Sequence, residues 1–173
     1  MLIVPFIYQG VVKFCILNSK FRSKAFSLLS LLVNYAFNYK EQFNFEQITN
    51  DYVITFIPSD TLKQQKRGFN SAQLIANSLA KKLNLKVKNL LNKSKVVEPF
   101  EYKNKKQRYV SIKNAFTIKS KNLPKNILLV DDVITTGATL LEATKTLKKA
   151  GCKNVICFAL CFKTLDNTNN YTI

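Results

Sequence analysis

Two adjacent carboxylates, Asp131 and Asp132, stand just before a loop of small and hydroxylated residues: Thr135, Thr136, Gly137, Ala138 and Thr139. The loop offers backbone N–H groups, threonine hydroxyls, and a glycine that lets a ligand approach the chain closely. A helix opening on this loop adds its unbonded N–H groups and the positive end of its dipole, which attract anions. Carboxylates repel a phosphate, so the pair must serve another part of the ligand. Sugar hydroxyls suit them, as does a hydrated Mg²⁺ that neutralises a second anionic group. A phosphate cradle, acceptors for a polyol and a metal-bound anion together describe a phosphorylated sugar carrying a diphosphate. An aspartate phosphoacceptor domain also places acids at strand ends, but the Thr/Gly loop directly afterwards argues against it. A buried strand followed by an ordinary surface loop explains neither the adjacent acids nor the loop composition.

These residues need a rigid support. Ile127 to Val130 is an unbroken apolar run, as in a strand buried on both faces of a parallel sheet. After the loop the pattern predicts a helix from about Leu140 to Ala150, stopped by Gly151. In open α/β sheets ligands lie beyond the carboxyl ends of the strands, which is where the acids and the loop fall. Val53 to Ile57 is a second buried strand, ended by Pro58, so Pro58, Ser59 and Asp60 face the same region. Asn70 is a good N-cap for a helix over 71–83, with Gln73 three residues on in a capping-box arrangement. Further strands are predicted at Val87–Leu91, Ala115–Ile118 and Val155–Leu160. Near the start, helices are predicted after Gly10 and over 21–39, with 40–51 a loop or short turn. The order of elements is α/β: a mostly parallel central sheet with helices on both faces.

The 173 residues hold 27 Lys and Arg against 10 acids, a net charge of +17. Residues 60–121 alone contain 16 basic side chains against Asp60, Glu98 and Glu101, so most of the excess lies mid-chain. That field favours anionic partners: nucleotides, sugar phosphates or nucleic acid. Heavy use of Lys and Asn throughout is the bland alternative. Lys93 to Lys113, rich in Lys, Asn and Gln, is too long for an ordinary connection and is expected to be a mobile basic loop. Histidine is absent, which excludes His-based triads and His general bases. The four cysteines form no CxxC, so a structural zinc site of the usual kind is not expected. They read as small core residues in a reducing compartment. The start of the chain lacks a basic n-region, and the apolar stretch Ala25–Phe37 is short of the roughly 20 residues of a membrane span. The expectation is a soluble, cytoplasmic protein with no membrane partner.

ILLVDDVITTGAT, residues 127–139, resembles the phosphoribosyl-diphosphate (PRPP) binding motif of type I phosphoribosyltransferases. The wider chain resembles one branch of that superfamily, the competence-associated ComF family. Pro58 to Asn70 is similar to its proline loop followed by R-G-F-N. Arg108 to Phe116 is similar to its R-x-x-N-[IV]-x-G-A-F element, and Tyr8-Gln9-Gly10 to its Y-x-G segment. Ser111 stands where the family usually has Asn, Asn114 where it usually has Gly, and Phe100 about where Gln is common. The chain is expected to start after the cysteine-rich zinc module with which many members begin.

The resemblance implies a type I phosphoribosyltransferase-like fold. An N-terminal helical segment (1–52) would pack on a phosphoribosyltransferase-like domain (53–165), with a polar tail (166–173). It implies that the 5-phosphate of PRPP sits in the loop of Thr135, Thr136, Gly137, Ala138 and Thr139. Asp131 and Asp132 would hold the ribose hydroxyls directly or through Mg²⁺, as its ligands. Ser59 and Arg67 would lie on the diphosphate side, and Arg108, with lysines 103, 105 and 106, would close over it. Asp131, Asp132 and Arg108 are the implied catalytic residues. The family role implied is DNA uptake in natural transformation, with single-stranded DNA and a competence helicase as possible partners. The alternative is an active PRPP-dependent transferase on a base or amine. That reaction needs no strong base if the acceptor is already nucleophilic.

Overall fold

In the computed structural model, residues 1–22, 25–59, 68–94 and 110–164 are described. The tail, Asp60, Arg67, Arg108 and lysines 103, 105 and 106 lie outside them, as does the basic loop over residues 95–109. Among the described residues there are eight strands: β1 (Leu2–Ile3), β2 (Phe6–Ile7), β3 (Tyr52–Phe56), β4 (Lys86–Val87), β5 (Leu91–Lys93), β6 (Phe116–Ile118), β7 (Asn126–Ile134) and β8 (Asn154–Phe162). The main α-helices are α1 (Gly10–Leu17), α2 (Ser27–Asn38), α3 (Ser71–Leu83) and α4 (Ala138–Lys149).

The main sheet runs β1–β8–β7–β3–β4, with β2 also on β8, and every pairing in it is parallel. The strand of the acidic pair, β7, is therefore central. Its side chains alternate between two cores, as the period of a strand requires. Leu128 and Val130 pack with Leu29, Val33, Ile75 and Leu79, under α2 and α3. Ile127 and Leu129 pack with Ala143 and Leu147 of α4 and with Leu91 and Phe116 of the small antiparallel β5–β6 ribbon. The sheet is thus covered on both faces, and the expected α/β architecture is present.

Three expectations need correction. The strand at Ile127–Val130 does not stop at the aspartates: β7 runs through both to Ile134, pairing Asp131 with Ala159 and Ile134 with Phe162 of the equally long β8. Ladder bonds are made by the backbone, so polar side chains do not end a strand whose neighbour continues. The single strand expected at Val87–Leu91 is two strands in different sheets. β4 pairs with β3, and β5 then turns away to pair with β6. The helix expected over 21–39 begins only at Ser27 and is preceded by a wide π-helical turn, Asn18–Arg22. There the side chains of Asn18 and Ser19 donate to the carbonyls of Phe14 and Ile16, at 2.8 Å each. Such bonds compete with the helical ladder and bend it.

Other local expectations agree with the structure. α1 starts at Gly10, whose φ of +49° suits glycine. α3 spans 71–83, and Asn70 caps it, its Oδ1 accepting from the N–H groups of Ala72 (2.9 Å) and Gln73 (3.4 Å). β1 and β2 enter the sheet beside β8, where the sequence predicts no strand. Two-residue strands are too short to show a period. Cys15, Cys152 and Cys161 are buried, Cys157 is half-buried, and none is in a disulfide.

Candidate functional site

The carboxyl ends of β3, β7 and β8 lie side by side because the strands are parallel. β3 leads into Ile57, Pro58 and the half-buried Ser59, and the Ile57 N–H continues the ladder to the Val130 carbonyl at 2.9 Å. α3 begins beside this turn, since the Asn70 amide donates to the Ile57 carbonyl at 2.9 Å. One asparagine therefore caps the helix and ties its start to the end of β3.

From β7 the chain enters the loop Thr135–Thr139 and then α4. Gly137 takes φ +78°, ψ −3°, a left-handed conformation that side chains disfavour, and sits at the N-cap of α4. The Ala138 N–H leans on the Thr136 hydroxyl at 3.3 Å, and the Leu141 N–H on the Gly137 carbonyl at 2.9 Å. Asp131 and Thr135 to Thr139, with Val133, Ile134 and Leu140, line a shallow cleft at this helix start. The lining of this cleft thus combines the loop backbone and threonine residues with one carboxylate.

The strand period splits the acidic pair. Asp131 is on the α4 face and lines the cleft. Asp132 is on the opposite face, beneath the N-terminal helices. There its Oδ1 accepts from the Val133 N–H at 2.6 Å, and its Oδ2 accepts from the Ser71 hydroxyl and forms an ion pair with the Lys20 ammonium. The two are linked through the backbone, since the Asp132 N–H donates to Asp131 Oδ1 at 2.8 Å.

Their electrostatics diverge accordingly. Burial, and then the charge of Asp132, push Asp131 up to about 7. Burial also works against the charge of Asp132, but Lys20 and the hydrogen bonds from Lys20, Ser71 and Val133 outweigh it and hold that carboxyl below its ordinary value. Burial, followed by the charge of Asp132, pushes the Cys161 thiol up to about 12, so it stays unreactive. Tyr8 is raised by burial in the same neighbourhood.

The carboxyl end of the sheet thus carries Ser59, Asp131, Asp132 and the Thr135–Thr139 loop, with Asp131 in the cleft and Asp132 turned to the opposite face, while Arg67 and Arg108 fall outside the described residues. Sequence reasoning missed Lys20 and Ser71. Ser71 was within reach, as the first residue of a capped helix that starts at the ligand edge. Lys20 carried no local signal.

The phosphoribosyl transferase domain family matches residues 70–169, which contain α3, the acidic pair and the loop. Competence protein F of Haemophilus influenzae is 36% identical over 103 residues, 57% of this chain and 45% of that protein. Competence protein ComFC of Streptococcus pneumoniae is 34% identical over 111 residues, 64% of this chain and 48% of that one. DNA utilization protein YhgH of Escherichia coli K12 is 26% identical over 109 residues, 62% and 48% of the two chains. The matches span about half the length of each of these relatives. Among solved structures, a purine phosphoribosyltransferase from Pyrococcus horikoshii aligns over 99% of the chain and 96% of its own, at 14% identity and a TM-score of 0.36, too distant to inform the site. The match over more than half of the chain, centred on the strand, acids and loop just described, makes this protein a member of the phosphoribosyl transferase domain family.

Proposed function

We propose that the cleft binds PRPP or a closely related phosphorylated ribose, and that the protein serves DNA uptake in natural transformation. The observation that carries the binding reading is that Asp131 and the Gly137-centred helix start line the same cleft. The loop N–H groups and threonine hydroxyls take the 5-phosphate. Asp131 takes the ribose hydroxyls, directly or through Mg²⁺, and Ser59 lies on the diphosphate side with Arg67. An oxygen donor set of one or two carboxylates plus ligand phosphates is what Mg²⁺ prefers. Arg108 and the neighbouring lysines would close over the diphosphate. The uptake role is supported by similarity to two competence proteins and a DNA utilization protein. Single-stranded DNA and a competence helicase are the partners this role would involve, in the cytoplasm. Among the described residues no helix is long and apolar enough to cross a membrane.

A second reading, an active PRPP-dependent transferase on a base or amine, is favoured by the retention of both aspartates in the motif. Calorimetry with PRPP and Mg²⁺ tests the binding reading. The wild type is expected to bind, and Asp131→Asn to lose most of that affinity. No heat of binding from the wild type would sink it. Where binding is seen, pyrophosphate release across a panel of bases and amines separates transferase from receptor.

A further inference from the structure

Lys20 lies outside residues 70–169, the part of the chain that carries the family match. Even so, its ammonium reaches the second acid of the site. It does so from the π-helical turn Asn18–Arg22, a departure from the α-helix often found at functional positions. The turn is held by Ser19, fully buried and bonded to the Ile16 carbonyl, and by Asn18 bonded to the Phe14 carbonyl. At the far end Asp132 is equally fixed, by the Ser71 hydroxyl and the Val133 N–H. The side chains of Lys20 and Asp132 are only 13% and 15% exposed, so water screens the pair weakly.

We propose that Lys20 is the built-in counter-cation of this site: it occupies the place at Asp132 that a divalent cation would otherwise take, and so restricts metal binding to Asp131. This takes from the proposed function only that a divalent cation is drawn to the carboxylate pair. With the ammonium in place, the two carboxylates, once ionised, carry one net negative charge rather than two. Asp132 Oδ2 already meets both Ser71 and Lys20, and its Oδ1 accepts from Val133, so a metal at Oδ2 must displace Lys20 or Ser71 and one at Oδ1 meets the charge of Lys20 close by. Asp131 lines the cleft on the other side of the sheet, where a metal would meet the oxygens of a phosphorylated ribose. Lys20 is accordingly a positioning residue. It anchors Asp132, whose N–H in turn orients Asp131 Oδ1. A single cation on the ligand side would steer binding toward ligands that bring their own metal-bound anion.

The test uses the full chain and Mn²⁺ alone, with free Mn²⁺ read by electron paramagnetic resonance and folding checked by circular dichroism. Lys20→Met exposes Asp132 and is expected to bind Mn²⁺ about tenfold more tightly than the wild type, or better. Lys20→Arg keeps the charge and should match the wild type. The double variant Lys20→Met/Asp132→Asn should lose the gain. If Lys20→Met fails to fold, Lys20→Gln, which retains a donor for Asp132, reads the same shift. Unchanged Mn²⁺ affinity in the folded neutral variant overturns the assignment, and so does a gain that survives Asp132→Asn. Calorimetry with PRPP and Mg²⁺ is run in parallel. A Mn²⁺ shift without PRPP binding by the wild type supports the Lys20 assignment while defeating the ligand reading. PRPP binding without the shift does the reverse.

Discussion

Asp131 and Asp132 are neighbours in sequence, joined by a 2.8 Å bond from the Asp132 N–H to Asp131 Oδ1, yet their side chains leave β7 on opposite faces. One faces the cleft beside the loop. The other is clamped by Lys20 and Ser71. Equivalent substitutions at the two positions should therefore do different things.

Asp131→Asn should stabilise the protein at pH 8 and much less at pH 5. The folded value of about 7 lies above the ordinary one, so the unfolded chain loses its proton first as pH rises. Ionisation then costs stability increasingly from about pH 4 to pH 7, and in full above that. Solvent screening at this half-buried side chain leaves a gain on the order of 1–2 kcal/mol for the neutral variant at pH 8. Urea titrations at the two pH values check it. Equal effects at both would contradict the assignment.

Asp132→Asn should destabilise by about 2–4 kcal/mol near neutral pH, because it leaves the Lys20 ammonium unpaired in a mostly buried place. Its partner holds the carboxyl below its ordinary value. The wild-type contribution is therefore present above the unfolded carboxylate range and is lost as pH falls through the lower folded value. Thermal unfolding of wild type and variant should converge on acidification.

Gly137→Ala tests the loop. A Cβ there would meet Ile134 Cδ1 at 3.6 Å, an ordinary contact, so sterics with neighbours are not the obstacle. The φ of +78° is. The expected cost is about 1–2 kcal/mol of backbone strain, with a larger proportional loss of PRPP affinity as the loop relaxes. Unfolding and calorimetry on the same preparation separate the two effects.

Asn114 explains a departure from the family pattern. It stands where the related element usually has Gly, and it takes φ +58°, a left-handed conformation that Asn tolerates best among non-glycine residues. Its N–H also donates to Glu142 on α4 at 2.9 Å. Asn114→Gly should be close to neutral, and Asn114→Ala should cost about 1 kcal/mol. Denaturation midpoints decide between them, and a costlier Gly than Ala would show that the side chain itself matters.

If the basic mid-chain surface binds single-stranded DNA, log affinity should fall against log salt with a slope of about −0.7 per phosphate contacted. A fluorescence-anisotropy titration at several salt concentrations measures it. A flat dependence would remove the phosphate contact and leave only the small-ligand role.

What the sequence determined by itself was local. The apolar runs marked β3, β7 and β8. The cap at Asn70 marked the start of α3, and the small hydroxylated loop marked an anion site at a helix start. Each depends on neighbours along the chain, so each is written in a few consecutive residues. Had β7 been carried through the aspartates, strand parity would also have shown Asp131 and Asp132 to be on opposite faces. The end of the apolar run concealed it. Only the tertiary structure decided what Asp132 meets. Its partners come from a distorted turn near the N-terminus and from the first turn of α3. An ion pair between distant segments requires a shared place in space, which no spacing in the sequence records. The same holds for β1 and β2, whose two residues each become strands because β8 offers them an edge.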